Sequence, residues 1–251
     1  MRRFSLALLL VCLATSVEAA IAKREIAEGH TSGAPTTSCA TGTFVTSPVT
    51  GDTIVVGVST FGLGITISAP TDTQSNTYTQ IGTTTTTANN AKLAVYRSEN
   101  VTGGASFVVT GHASGNGCTA IVWALSGAAT TSYNGDSIAA TNTGANPASG
   151  TSTPAPAANS FFIGAMTNES TNAVTAGSGW QFETRSTQTD NTSFQDLFTE
   201  DLTTGTSSSA QNATFTEASD TWADRVQSFA PAGGAATPMR TLLGVGTHAR
   251  R

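Results

Sequence analysis

At 251 residues, with a net charge of −5 and only 11% charged side chains, the chain lacks the Lys and Arg clusters that neutralise nucleic-acid phosphates. Between Thr31 and Ala232 the only cations are Lys92, Arg97, Arg185 and Arg225, and Asp and Glu outnumber them about three to one, which argues equally against anionic membrane surfaces. Hydrophobic residues make up 38% of the sequence and fall at strand-like spacing, which disordered chains lack.

In chain order, residues 1–19 read as a secretory signal. Arg2 and Arg3 form a positive start, residues 4–14 an apolar run, and Val17 and Ala19 the small residues that a signal peptidase reads. Cleavage is expected after Ala19, with Ala22 as the fallback, and the protein is expected to be extracellular. The run is too short to span a bilayer, and no later run is long and apolar enough to do so. Residues 20–38 mix charges with Gly, Ser, Thr and Pro without periodicity and read as a linker. The folded domain is expected over 39–232. Gly51 and Asp52 make a turn, and Ile54 to Val58 is a continuous apolar run, as in a strand buried on both faces. Ile65 and Ile67 alternate with polar residues, 72–76 is a turn, and Leu93 and Val95 alternate along a further strand. Strands follow at 107–110, 118–125, 161–166, 180–185, 194–202, 213–216 and 222–229. The polar stretch 134–158 is a long loop with one edge strand. Residues 233–251 form a flexible tail that carries a short apolar stretch.

Many short strands with close-spaced turn signals and no helical periodicity predict an all-β fold. The expected form is a two-sheet antiparallel β-sandwich, built as a jelly roll. Several turn and core motifs support it: Pro48-Val-Thr-Gly-Asp52 before an apolar strand, Asp72 with Asn76 and Tyr78, Asn100-Val-Thr-Gly-Gly104, Gly177-Ser-Gly-Trp180, Glu200-Asp201, Ala213-Thr-Phe-Thr216, and a final strand with Trp222. Through these motifs most of 41–232 resembles a group of uncharacterised extracellular and phage-associated bacterial β-sandwich domains. The resemblance implies the fold and an extracellular or particle-surface setting. It implies no catalytic residue.

The residues that carry chemistry are few. His112 is the one histidine between 39 and 232, and no G-x-S-x-G elbow presents a serine to it, so no catalytic triad is expected. One histidine and two distant cysteines do not make a zinc site. Cys39 and Cys118 are an even pair in an exported chain and are candidates for a disulfide. Glu183 lies near Trp180 and Phe182, but alternation turns it away from both, toward Gln181 and Arg185, on a solvated face. Glu200 and Asp201 are adjacent and should face opposite sides of a strand. Asp72 with Asn76, and Asp190 with Asn191, are fragments of a calcium loop that Asx-turn chemistry explains without a metal. Trp180 follows Gly177 and Gly179 at a loop–strand junction; the core is its favoured place, and if a ligand site exists it is the candidate ligand-binding residue, a platform for a sugar ring. No cofactor is expected. The reading is a non-catalytic secreted module, structural or adhesive, with a protein or glycan partner at a cell or particle surface. A carbohydrate-binding module is the alternative, and a glycan-cleaving enzyme stands behind it.

Overall fold

The computed structural model describes residues 20–31, 37–115, 117–170, 172–188 and 195–233. Every regular element among them is a strand, in the order β1 Ala22–His30, β2 Ser38–Ala40, β3 Thr53–Phe61, β4 Ile67–Asp72, β5 Thr79–Thr86, β6 Ala91–Ser98, β7 Val109–Ala113, β8 Thr119–Ser126, β9 Ala128–Tyr133, β10 Ile138–Gly144, β11 Ser160–Asn168, β12 Thr175–Ala176, β13 Trp180–Gln188, β14 Gln195–Ser207, β15 Phe215–Thr216 and β16 Asp220–Pro231.

Two antiparallel sheets form the sandwich. One runs β1-β8-β3-β6-β5, the other β10-β16-β11-β14-β13, with β9 also paired to β16. Their shared interior holds Val55, Leu93, Val95, Ile121, Trp123, Phe161, Ile163, Leu197 and Phe229. The expected β-sandwich is therefore present. The strand orders establish the sandwich and not the jelly-roll wrapping. They also add two small outer sheets, β2-β7-β4 and β12-β15.

The outer sheets explain the continuous apolar runs. In β3, Ile54, Val56 and Val58 point away from the interior and pack with Tyr96, Phe107, Val109 and Val122 under β2-β7-β4. Val55 on the opposite face meets the second large sheet. A strand covered on both faces loses its polar alternation, as the 54–58 run does. In β11 the same holds: Phe161 and Ile163 face the interior, while Phe162 and Met166 face β12-β15. Cys39 of β2 is bonded to Cys118 just before β8, with Cα atoms 5.6 Å apart. The bond staples an outer layer to a large sheet across 79 residues of sequence, a closure that stabilises by about 4–5 kcal/mol on the chain-entropy model.

The linker reading of 20–38 needs correction. Residues 22–30 are β1, paired to β8 from Ala22↔Ser126 to His30↔Thr119. The charges of Lys23, Arg24, Glu25 and Glu28 hid this strand. Its stability comes from the backbone ladder and from Ile21 and Ile26, which reach the interior cluster, and charges suit an edge strand because they deter further pairing. The expected edge strand within 134–158 is β10, paired to β16. Residues 1–19, with the signal reading, and residues 234–251, nearly the whole of the tail, lie outside the described residues.

Candidate functional site

The large sheets meet at a seam where β1 and β13 run side by side, and Lys23 bridges it. Its ammonium donates to Asp201 Oδ2 at 3.3 Å and pairs with the Glu183 carboxylate. It also sits 5.5 Å from the centroid of the Trp123 ring, a cation–π position. Glu183 reaches the seam because the β13–β14 register shifts between Phe182 and Thr184, and the Gln181 amide donates to it. The Asp201 carboxyl is pushed up to about 7, first by burial and then by the hydrogen bond and charge of Glu183, against the pull of Lys23. The spacing of Glu183 and Asp201 does not suit sugar cleavage: they lie within hydrogen-bond reach, whereas a retaining glycosidase separates its acids by about 5–5.5 Å.

A second group of acids lies on the far face of β14 and β16, under β12 and β15. Glu200 and Asp224 are fully buried. Oε1 of Glu200 accepts the Thr214 backbone N–H at 2.9 Å, while its Oε2 and both oxygens of Asp224 have no hydrogen-bond partner. Glu217 accepts Asn168 Nδ2 at 2.8 Å through Oε2, and its Oε1 is likewise without a donor. Burial pushes Glu200 up to about 8 and Glu217 to about 7, and holds Asp224 well above the usual carboxylate range.

On the opposite seam, Arg225 is 3% exposed and has only neutral oxygens for partners. It donates to Ile81 O at 3.2 Å, Ser137 Oγ at 2.8 Å, Thr83 O at 2.5 Å and Thr85 Oγ1 at 3.0 Å. A bulge in β5 between Ile81 and Thr85 turns these carbonyls inward. Gly82 holds φ +62 there, where an added Cβ would stand 2.5 Å from Arg225 Nη1. Outside the guanidinium is an open depression of about 540 Å³ lined by Thr83 to Thr86, Ser137 and Thr141.

The residues singled out in the sequence fall in separate places. Trp180 takes the core place that the sequence favours, and its candidacy as an exposed ligand platform is corrected. It is 7% exposed, packs among Phe162, Leu202, Ala213 and Val226, and donates its indole N–H to Asn212 O at 3.1 Å. Gly179, at φ +86, turns the chain so that Trp180 enters the ladder opposite Leu202, beneath the 211–213 loop. Among the described residues the aromatic classed as exposed is Phe182, 38% exposed and tilted against Phe198 at 6.1 Å. His112 shares a 3.0 Å hydrogen bond with the Thr71 hydroxyl on β4. Asp72 closes an Asx turn: Oδ1 accepts Gln74 N at 2.8 Å and Asn76 N at 3.2 Å, and Oδ2 accepts Asn76 Nδ2 at 2.9 Å and Tyr78 OH at 2.8 Å. Asp190, Asn191 and the side chain of Arg185 lie outside the described residues. Glu200 and Asp201 do face opposite sides of β14.

Lys23, Glu217, Asp224 and Arg225 escaped the sequence reading. Asp224 and Arg225 left one trace, adjacent opposite charges inside the apolar 222–229 run, which must point to opposite faces of a buried strand. No protein-family model, curated protein or solved structure matches the chain.

Proposed function

We propose that the chain is a non-catalytic secreted module, structural or adhesive, that binds a protein partner at a cell or particle surface. The observation that carries this reading is an apolar loop tip fixed to the scaffold. Val45 is 94% and Val49 49% exposed, and with Pro48 and Ala105 they line an open concavity of about 480 Å³. The tip is held from beneath, because the Glu25 carboxylate of β1 accepts the backbone N–H groups of Val45, at 2.9 Å, and Thr46. An exposed apolar group on a pre-ordered loop loses little entropy on binding, as partner surfaces require. The most perturbed acids support the same reading, since Glu200 and Asp224 are sealed between layers and serve packing. Export and the particle-surface setting implied by the sequence resemblance belong to this proposal.

The test is capture of partner cells or particles by the immobilised mature chain and by a Val45→Asp/Val49→Asp variant. Capture should disappear in the variant while its melting temperature stays within a few degrees of the parent. Equal capture by both would overturn the loop-tip reading. Carbohydrate binding is the second reading, favoured by the exposed ring of Phe182. A glycan-array signal abolished by Phe182→Ala would put it first.

A further inference from the structure

Three irregularities of the sheets converge on the β1–β13 seam. Lys23 stands where the β1–β8 register shifts, between Lys23 and Glu25. Glu183 is the residue left out of the β13–β14 register, between Phe182 and Thr184. Asp201 pairs with Ile163 at the end of the shift in β11–β14. A bulge re-aims a side chain, and these three bring an amine and two carboxyls together. Lys23 Nζ stands 3.3 Å from Asp201 Oδ2, one bond from the carboxyl carbon, and in contact with the Glu183 carboxylate. Glu183 is in turn hydrogen-bonded to Asp201. The Asp201 side chain is 4% exposed, and the Trp123 ring walls the site with its centroid 5.5 Å from Nζ. Asp201 Oδ1 is buried and has no hydrogen-bond partner among the described residues. That arrangement suits a neutral carboxyl or an amide and is costly for a carboxylate.

We propose that Lys23 and Asp201 join through a side-chain amide that the folded chain forms by itself, with Glu183 as the proton carrier. An ammonium is no nucleophile, so its contact with Glu183 acts first: one proton passes to Glu183 and leaves a free amine. Nζ then attacks Asp201 Cγ. The Nζ–Cγ bond forms and the bond from Cγ to the carboxyl hydroxyl breaks. Glu183 gives its proton to the departing hydroxyl and takes the one that the nitrogen sheds. The products are one amide and one water, and the balance needs no co-reactant. Burial, the largest influence, pushes Asp201 up to about 7, which keeps it available as the neutral acid whose hydroxyl can leave. An unactivated acid reacts poorly in solution, but groups fixed in attack position reach effective molarities of about 10⁵ M or more. The bond ties the edge strand β1 of one large sheet to β14, an interior strand of the other, across 178 residues of sequence. It would hold the two sheets together under pull, and it does not depend on the Val45 tip. Asp201 titrates as a carboxyl only in the unlinked chain, the state that Lys23→Met preserves.

Mass spectrometry of the secreted protein, reduced to open the Cys39–Cys118 bond and then denatured, tests this. The wild-type chain should weigh one water less than its sequence counted from its own sequenced N-terminus. Digestion should yield the peptides of Lys23 and Asp201 joined. Lys23→Arg and Asp201→Ala should each restore the full mass. Glu183→Gln, which keeps the shape of the side chain but carries no acid proton, should leave most of the chain unlinked. The wild-type mass decides the matter even if a variant fails to fold. Folded wild-type protein of full mass, with Lys23 recovered as a free amine, overturns the proposal and leaves the three groups as an ion-pair bridge. A water loss that persists in Lys23→Arg also overturns it, because the loss then arises elsewhere. A link mapped to Glu183 in place of Asp201 overturns the assignment of the two carboxyls.

Discussion

Trp180 shows how one ring divides its role between packing and polarity. Its indole lies among Phe162, Leu202 and Val226, and its N–H has a backbone acceptor at Asn212, so truncation removes packing and strands a carbonyl. Trp180→Ala should cost about 3–5 kcal/mol in denaturant unfolding, and any ligand affinity should change only in step with stability. Gly164→Ala acts in the reverse sense, by overfilling. The added methyl meets Ala213 and Glu200 at 2.8 Å, and a loss of about 1–3 kcal/mol is expected from the same measurement. Lys23 acts through charge. It favours the ionised form of Asp201, so Lys23→Met should raise the Asp201 carboxyl above about 7 in a carbon-13 titration. A fall would show that Lys23 does not act on that group.

Among the elements, β1 is the one whose role the sequence concealed. It carries both the Lys23 bridge to β13 and the Glu25 support beneath the Val45 loop, so the seam and the proposed binding tip depend on one edge strand. Ile21 is buried in the shared interior. Processing after Ala19 retains it, whereas processing after Ala22 removes it together with the first residue of β1. N-terminal sequencing of secreted protein should therefore find Ala20 first, and recovery of an intact Met1 form from the cytosol would count against export. Cys39 and Cys118 act at this scale too. Replacing both by Ala should cost about 2–5 kcal/mol, read as a lower denaturant midpoint that reducing agent lowers no further.

For the whole molecule, the acids set the direction of pH dependence. Glu200, Glu217 and Asp201 have ordinary values of 4.5, 4.5 and 3.8 and rise on folding to about 8, 7 and 7. The folded state thus binds more protons than the unfolded state across this window. The stability these groups contribute is fully present below about pH 4 and is lost as pH climbs through 7 and 8. Glu99 opposes the trend. Burial, its largest influence, raises it, but the Tyr133 amide, Arg97 and Ser132 together hold it below its ordinary value, so its contribution is lost on acidification. With five carboxyls raised, Asp136 and Asp224 besides these three, against one lowered, the melting temperature should fall from pH 5 to pH 9, and a rise over that range would refute the balance.

Most strands and their faces were legible in the sequence, β1 excepted, because alternation and apolar runs are local consequences of a period of two. Ile54 to Val58 announced a strand covered on both sides, and Asp72 to Tyr78 announced its own turn, since the donors to the Asp72 carboxyl lie within six residues of it. The adjacency of Glu200 and Asp201 likewise assigned them to opposite faces. Only the tertiary structure decided what covered each face. That β1 pairs with β8 almost a hundred residues away, that Lys23 meets Glu183 and Asp201, and that Trp180 lies beneath the 211–213 loop are matters of strand order. Strand order depends on which distant surfaces bury one another, and side-chain spacing within a strand does not encode it. For the same reason, three acids with unremarkable neighbours in sequence became buried groups whose carboxyls burial raises.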